Sequence, residues 1–432
     1  MTPITIAILG FAGMFVLILA HVPIGVAMAV TGVVGFATMV GWGPALSLLA
    51  SEPASTMASL ELAVIPLFML MGSLATAAGL AGDVYNAAQA VIGHRKGGLA
   101  ATTVLASAGF GAISGSGVAT TATFGRVALP EMLSRGYAPS LAAGSVAAGG
   151  TLGIVVPPSG IMILYAVLTE ISVLKLFTAS IIPALLSVVL YFGAIAIWTR
   201  IDPSIAATAP KLPMRQRLLA IMGAWRVILL ALLVMGGIYS GIFTVNEAAS
   251  VGVVLSFLFA ILHRKMGIKD FLGVLAEASM ASAMIYIMVF GATIFSYFVS
   301  VTGATAELIA WINGLGLPPM GVIVVLLAMY LILGAFFDEV ASMVITLPLV
   351  VPMILSFGYD LTWWGVINIA VVGLGMIIPP IGINVMLLST MRKDINLSTI
   401  YRGVGPFIGA DLLRLGLLTA FPSMTLWLTN IM

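Results

Sequence analysis

Ile113-Ser114-Gly115-Ser116-Gly117-Val118-Ala119-Thr120-Thr121 is a small, polar, helix-breaking stretch inside a very apolar chain. Residues 97–105 before it carry no charge, and residues 122–133 after it are largely apolar. A Gly/Ser centre at membrane depth is costly unless it is buried in protein or lines a cavity. The stretch therefore marks a candidate binding site. It also predicts two helices meeting at a tip, residues 100–113 and 118–133. Both fall short of the roughly 20 residues that a full crossing needs, so the pair reads as a re-entrant hairpin.

The surrounding composition supports that setting. The chain has 432 residues, of which 61% are hydrophobic and 7% charged, with a mean hydropathy of +1.21. That is the composition of a polytopic membrane protein embedded in a lipid bilayer. A formal net charge of +2 offers no basic field for nucleic acid. The absence of Cys excludes disulfides and thiolate-bound metals. His21, His94 and His263 lie far apart near segment ends and form no metal motif. No basic segment precedes the first apolar run, so no cleaved signal peptide is expected.

Working outward, the expected crossings are 4–20, 24–40, 62–80, 136–170, 176–198, 227–241, 248–262, 279–301, 362–389 and 405–428. Residues 41–59 read as a loop, 200–217 as a Pro-rich linker, 263–270 as a basic loop and 392–402 as a loop. Short amphipathic helices are expected at 83–93 and 304–313, as interfacial arms. Residues 320–337 and 340–357 form a second hairpin around Asp338-Glu339. Placing the N-terminus outside puts every Lys and Arg on the cytoplasmic side except Lys175, Arg126 and Arg414. The first hairpin then opens inward and the second outward.

The chain repeats itself at an offset of 222. Leu152-Gly153-Ile154-Val155-Val156-Pro157-Pro158-Ser159-Gly160-Ile161 falls without a gap on Leu374-Gly375-Met376-Ile377-Ile378-Pro379-Pro380-Ile381-Gly382-Ile383. Val118-Ala119-Thr120 falls on Val340-Ala341-Ser342, and Pro130 on Pro352. Hairpins of opposite entry make the repeats inverted. Inverted repeats with broken helices are characteristic of secondary transporters, which hold solute and ion at the breaks. A helix N-terminus at a hairpin tip suits an anion. Each Pro pair strips hydrogen-bond donors from a broken helix, and the freed carbonyls, with Ser and Thr hydroxyls, suit Na⁺. Two such halves predict at least two cation sites flanking one anion site. The fold expected is an all-α polytopic membrane protein of two inverted repeats, each with a hairpin and a broken helix. Its parts are scaffold helices 1–81, a first transport half 82–175, scaffold helices 176–276, a second transport half 277–395 and a C-terminal span 396–432.

Ser114-Gly115-Ser116-Gly117-Val118-Ala119-Thr120, followed by Gly125-Arg126-Val127-Ala128-Leu129-Pro130-Glu131-Met132, resembles the first hairpin of the large membrane subunit of tripartite ATP-independent periplasmic (TRAP) transporters. Gly150-Thr151-Leu152-Gly153-Ile154-Val155-Val156-Pro157-Pro158-Ser159 resembles the broken helix after it. Phe337-Asp338-Glu339 with Thr346-Leu347-Pro348 resembles the second hairpin. The match runs nearly end to end. More distantly, the architecture is similar to that of divalent-anion/sodium symporters. The resemblance implies Na⁺-coupled import of an organic acid by an elevator movement across the bacterial inner membrane. A periplasmic substrate-binding protein and a small four-helix membrane subunit, expected as a separate polypeptide, would complete the system. It places Na⁺ at Ser114, Gly115, Ser116, Thr151, Gly153 and Val156, and again at Gly334, Asp338, Gly375 and Ile378. Candidate solute contacts are Ser116, Thr120, Ser159, Asp338 and Asn384.

Plainer roles compete at several of these positions. Ser114, Ser116 and Thr120 suit a hairpin turn, and Asp338 suits a helix N-cap. Asn384 suits a bond within the broken helix, and Arg126 suits a snorkelling role. A self-sufficient Na⁺/carboxylate symporter is the alternative function. An intramembrane serine enzyme is remote, because no His lies near the Ser114–Ser116 tip to activate a nucleophile.

Overall fold

Two groups of helices, one straight and one interrupted, place the tips. The computed structural model describes residues 1–208, 211–264 and 266–431, with the side chains of His263 and Arg264 excluded. All regular structure there is helical. The first group comprises α1 (Pro3–Leu19), α2 (Ile24–Val40), α3 (Trp42–Ala58), α4 (Val64–Ala77), α14 (Val245–Arg264) and α15 (Ile268–Thr302). Within it α2 packs along α15, and α4 against α14 and α15. Between them in sequence lie α11 (Met214–Gly223), α12 (Trp225–Ala231), a π-helical turn at Leu232–Gly236 and α13 (Gly237–Tyr239).

The second group is built on the breaks. It contains α6 (Gly98–Ser114), α7 (Gly117–Ser134), α8 (Pro139–Val155), α9 (Gly160–Leu168) and α10 (Val173–Ile201). Its later members are α17 (Pro319–Phe336), α18 (Glu339–Ser356), α19 (Leu361–Gly375), α20 (Ile383–Met391) and α21 (Leu397–Ala420). Helix α8 packs on α6, α7, α19 and α21, and α10 packs on α21, α19 and α6. Every side chain from Leu141 to Val155 is buried, so α8 is the axis of this group. Seven described helices are long and apolar enough to cross a membrane alone, and up to nine with bent pairs joined.

Several boundaries differ from the sequence reading. The expected loop 41–59 is helix α3. Its polar groups are satisfied locally: Ser51 donates to the Leu48 carbonyl at 3.3 Å and Ser55 to Glu52 at 3.0 Å. The expected crossing 62–80 bends by 66° into α5 (Leu80–Ile92). Gly79 makes the bend with a left-handed φ of 76°, a conformation that glycine adopts without steric cost. The hairpin helices α6 and α7 have 17 and 18 residues, longer than expected, because the turn between them is reduced to Gly115 and Ser116. Helix α15 begins well before residue 279, where Asp270 accepts the Gly267 N–H at 3.1 Å. The linker 200–217 is partly helical. Helix α10 runs to Ile201 and α11 starts at Met214. A short turn between them lets Ile205 accept the Ala138 N–H at 2.9 Å. Pro210 of the linker and Lys265 of the basic loop lie outside the described residues. The last long helix, α21, starts at Leu397 and ends at Ala420, which shortens the expected loop 392–402 and breaks the expected span 405–428 before a short helix at Ser423–Leu426.

Candidate functional site

The first tip is a two-residue reversal held by its own hydroxyls. Gly115 caps α6 with a φ of +62°. Ser116 is extended and caps α7, accepting the Ala119 N–H at 3.4 Å. The Ser114 and Thr120 hydroxyls meet at 3.0 Å, and Thr120 also donates to the Ser116 carbonyl at 2.8 Å. Capping and a buried hydroxyl cluster thus coexist in the same residues. Gly153 of the broken helix lies flush against this cluster. A Cβ there would stand 2.6 Å from Thr120 Oγ1 and 2.7 Å from the Ser116 carbonyl oxygen.

The break beside it is chemically exposed although sterically enclosed. Helix α8 ends at Val155 and α9 resumes at Gly160, across Val156, Pro157, Pro158 and Ser159. Pro157 and Pro158 have no N–H, so the Gly153 and Ile154 carbonyls lose their helical donors. No described group donates to the carbonyls of residues 153–158. The Ser159 hydroxyl is buried without a partner. The Gly160 N–H closes the assembly by donating to the Gly115 carbonyl of the tip at 3.2 Å.

The second half reproduces this contact pattern with different chemistry. Asp338 caps α18, accepting the Ala341 N–H at 2.7 Å. Gly334 and Gly375 touch as Gly111 and Gly153 do: a Cβ on Gly375 would lie 2.6 Å from Gly334 Cα, and one on Gly111 2.6 Å from Gly153 Cα. The Gly382 N–H donates to the Ala335 carbonyl at 3.3 Å, matching Gly160 to Gly115. Its carbonyls are better supplied, however. Gly375 accepts from Ile378 N–H and Met376 from Asn384 N–H, both at 3.1 Å, while Tyr401 donates to Pro380 and Ile381 at 2.9 Å. The Ile378 carbonyl receives no donor among the described residues. Pro379, Pro380 and Ile381 are exposed, whereas Pro157, Pro158 and Ser159 are buried.

The two halves meet at their centre. A Cβ on Gly117 would touch the Gly150 carbonyl and the Met376 side chain, both at 3.3 Å. The Asn384 amide donates to the Ala147 carbonyl of α8 at 3.1 Å and leaves its own oxygen unpartnered. Asn384 therefore binds across the two broken helices rather than within its own. The Glu339 carboxyl is buried, and its Oε2 has no partner. Glu339 and Gly117 are equivalent positions under the 222-residue offset. Glu339 was legible from sequence only as a first-turn acid.

Among the expected ligands, Ser114, Gly115, Ser116, Thr120, Gly153 and Ser159 come together at the first tip. Gly334 and Gly375 come together at the second, with Asp338 at its turn. Thr151 stands apart from the tip hydroxyls: its side chain bonds the Ala148 carbonyl at 2.8 Å and meets Tyr191 at 3.0 Å. Val156 contributes a carbonyl without a donor. Arg126 is exposed and makes no hydrogen bond or ion pair among the described residues. A separate crevice of about 510 Å³ runs between α3, α15, α9 and α18, lined by Thr56, Glu170, Ser296, Ser300 and Pro348 among others. No tip residue lines it. No group of three or more His, Cys, Asp or Glu that could hold a metal ion occurs among the described residues.

A family model described as "Tripartite ATP-independent periplasmic transporter, DctM component" matches residues 11–424. The chain is 34% identical to the C4-dicarboxylate TRAP transporter large permease protein DctM of Pseudomonas aeruginosa, over 85% of this chain and 86% of that one. It is 28% identical to the ectoine TRAP transporter large permease protein TeaC of Halomonas elongata, over 97% and 98%. The isethionate TRAP transporter permease protein DctMQ of Oleidesulfovibrio alaskensis is 28% identical over 97% of this chain and 65% of that longer protein. Among solved structures, the YdaH transporter of Alcanivorax borkumensis superposes with a TM-score of 0.58 at 18% identity, covering 88% of this chain and 89% of its own. MtrF of Neisseria gonorrhoeae gives 0.60 at 12% identity, covering 98% and 95%. At these identities the likeness is one of fold.

Proposed function

The chain belongs to the DctM family of TRAP transporter permeases, and from that footing we propose that it imports an organic acid by Na⁺ symport through an elevator movement. Membership makes it a multi-pass protein of the bacterial inner membrane and a transport protein, not an enzyme. The observation that carries the finer reading is the first tip. There, carbonyls stripped of donors by Pro157 and Pro158 lie beside the Ser114–Thr120 hydroxyl cluster. Carbonyl and hydroxyl oxygens without donors bind a hard monovalent cation, and the α7 N-terminus supplies partial positive charge for an anion.

The matching glycine contacts and tip bonds in both halves support an internal repeat, and the opposite entry expected of the two hairpins makes it an inverted one, each half presenting one cation site. Relatives named for a C4-dicarboxylate, isethionate and ectoine indicate that the fold serves varied solutes. Selection then falls largely to a periplasmic binding protein, with a small four-helix subunit completing the scaffold. The longer relative named DctMQ supports the second partner.

The test is uptake into proteoliposomes containing this chain, its small subunit and the loaded binding protein. Uptake should require an inward Na⁺ gradient. Undiminished uptake after Na⁺ is replaced by K⁺ at fixed pH gradient would reject the coupling.

A further inference from the structure

Away from the tip hydroxyls, a chain of buried polar groups joins three helices to the first broken helix. Tyr191 on α10 donates its hydroxyl to Asp411 Oδ2 on α21 at 2.6 Å. The same hydroxyl meets Thr151 Oγ1 on α8 at 3.0 Å. Arg414, one turn beyond Asp411, lies 3.0 Å from Asp411 Oδ1. Its guanidinium donates to Ser187 Oγ on α10 at 2.6 Å and to the Ala370 carbonyl on α19 at 3.2 Å. Asp411, Arg414, Tyr191 and Thr151 are all 0% exposed.

Stability is a poor reason for this network. A buried ion pair recovers its desolvation cost only with good geometry and full hydrogen bonding, and a well-packed apolar pair often does as well. Here Asp411 Oδ1 and Arg414 Nε lack an aligned hydrogen-bond partner. What the network does, and an apolar pair would not, is order protons. Ionised Asp411 can only accept, so it takes the Tyr191 proton, and the Tyr191 oxygen then faces Thr151 as an acceptor. The single Thr151 proton goes to Tyr191 or to Ala148. Either way the Thr151 side chain is fixed between α8 and α10, two residues before Gly153 meets the tip. Arg414 holds the same carboxylate and also grips α19, whose C-terminal end is the second break.

We propose that Tyr191, Asp411 and Arg414 are positioning residues. Through Thr151 they fix α8 one turn before the first break and link it to the second broken helix, so that the two cation sites load cooperatively. This rests on the reading that the breaks bind Na⁺. It is tested on the purified full chain by following thermal unfolding against NaCl in a choline chloride background, with no solute present. Tyr191→Phe removes one hydroxyl and no volume. It should raise the half-saturating Na⁺ concentration about fivefold, the worth of one ordinary hydrogen bond, and lower the Hill coefficient toward one. Asp411→Asn keeps the shape but permits the reverse hydrogen bond, and should shift the curve further. Where Asp411→Asn fails to fold, Tyr191→Phe decides alone. A folded Tyr191→Phe protein whose curve superimposes on wild type overturns the proposal and leaves the network structural. A wild type indifferent to Na⁺ against choline and K⁺ overturns the sodium reading itself, and this proposal with it.

Discussion

Gly153 decides how closely the first broken helix approaches the hairpin tip. A methyl group at this position would enter space held by Thr120 Oγ1 and by the Ser116 carbonyl. The hydroxyl can rotate, but the backbone oxygen cannot, so Gly153→Ala must push the tip away. Overpacking of this kind costs about 1–3 kcal/mol. The expected result is a lower unfolding temperature and loss of uptake together, read by thermal unfolding and proteoliposome flux; normal uptake would show that the close approach is dispensable. Ser114→Ala with Ser116→Ala should instead leave the chain inserted and weaken its Na⁺ dependence, seen as a right-shifted sodium titration. The tip itself was legible in sequence, because Gly and Ser at membrane depth contradict their apolar surroundings. The side-chain duty of Thr151 was not. Tyr191 is 40 residues away and Asp411 is 220 residues beyond Tyr191, and no local pattern encodes such pairings. The only hint was a charged pair one turn apart, Asp411 and Arg414, inside an otherwise apolar helix.

The two hairpins share geometry but differ in chemistry, and that difference is testable at the level of the element. The first tip presents hydroxyls and unpaired carbonyls. The second presents the carboxylates of Asp338 and Glu339, with several carbonyls already supplied by N–H or Tyr401. Ser114→Ala and Asp338→Ala should therefore displace the sodium titration by different amounts, and Asp338→Ala should also cost about 1 kcal/mol of helix capping. Identical displacement would make the two sites equivalent. A second device belongs to the arm. Arg226 on α12 donates to Asp83 of α5 at 2.6 Å and to the Ala78 carbonyl at the end of α4 at 3.4 Å, clamping both sides of the Gly79 bend. Arg226→Met strands a largely buried carboxylate and should destabilise by about 3 kcal/mol. Adding Asp83→Asn should recover much of that, as a thermal double-mutant cycle would show. Hydropathy located the arm helix within a few residues but missed the bend, because a lone glycine in an apolar run signals a turn only weakly. It missed α3 for the opposite reason: Ser51 and Ser55 look like loop residues until their hydroxyls are seen bonded to the preceding turn.

At the scale of the whole molecule, the repeat makes a geometric claim that does not depend on ions. If the halves are inverted, the segment after each hairpin must emerge on opposite faces of the membrane. Arg135 follows α7 and Tyr359 follows α18, close to equivalent positions under the 222-residue offset. Arg135 is exposed and among the described residues pairs only with Glu131, at 2.6 Å on the helix it ends, an arrangement worth little at a surface. Tyr359 is partly exposed and stacks on Trp363 at 4.9 Å between ring centroids. Neither substitution should threaten the fold, and the chain has no Cys to confuse the readout. The clustering of basic residues beside Arg135, at Arg95, Lys96 and in the linker, assigns that face to the cytoplasm. The scarcity of basic residues around Tyr359, where the isolated Lys175 pairs with Asp360 at 3.4 Å, assigns the other face to the periplasm. With a membrane-impermeant maleimide applied to intact spheroplasts, Tyr359→Cys should label at once and Arg135→Cys only after permeabilisation. Labelling of both without permeabilisation, or of neither, would place the two hairpins on the same side. The matched glycine contacts would then describe a parallel duplication, and alternating access between mirrored half-sites would lose its structural basis.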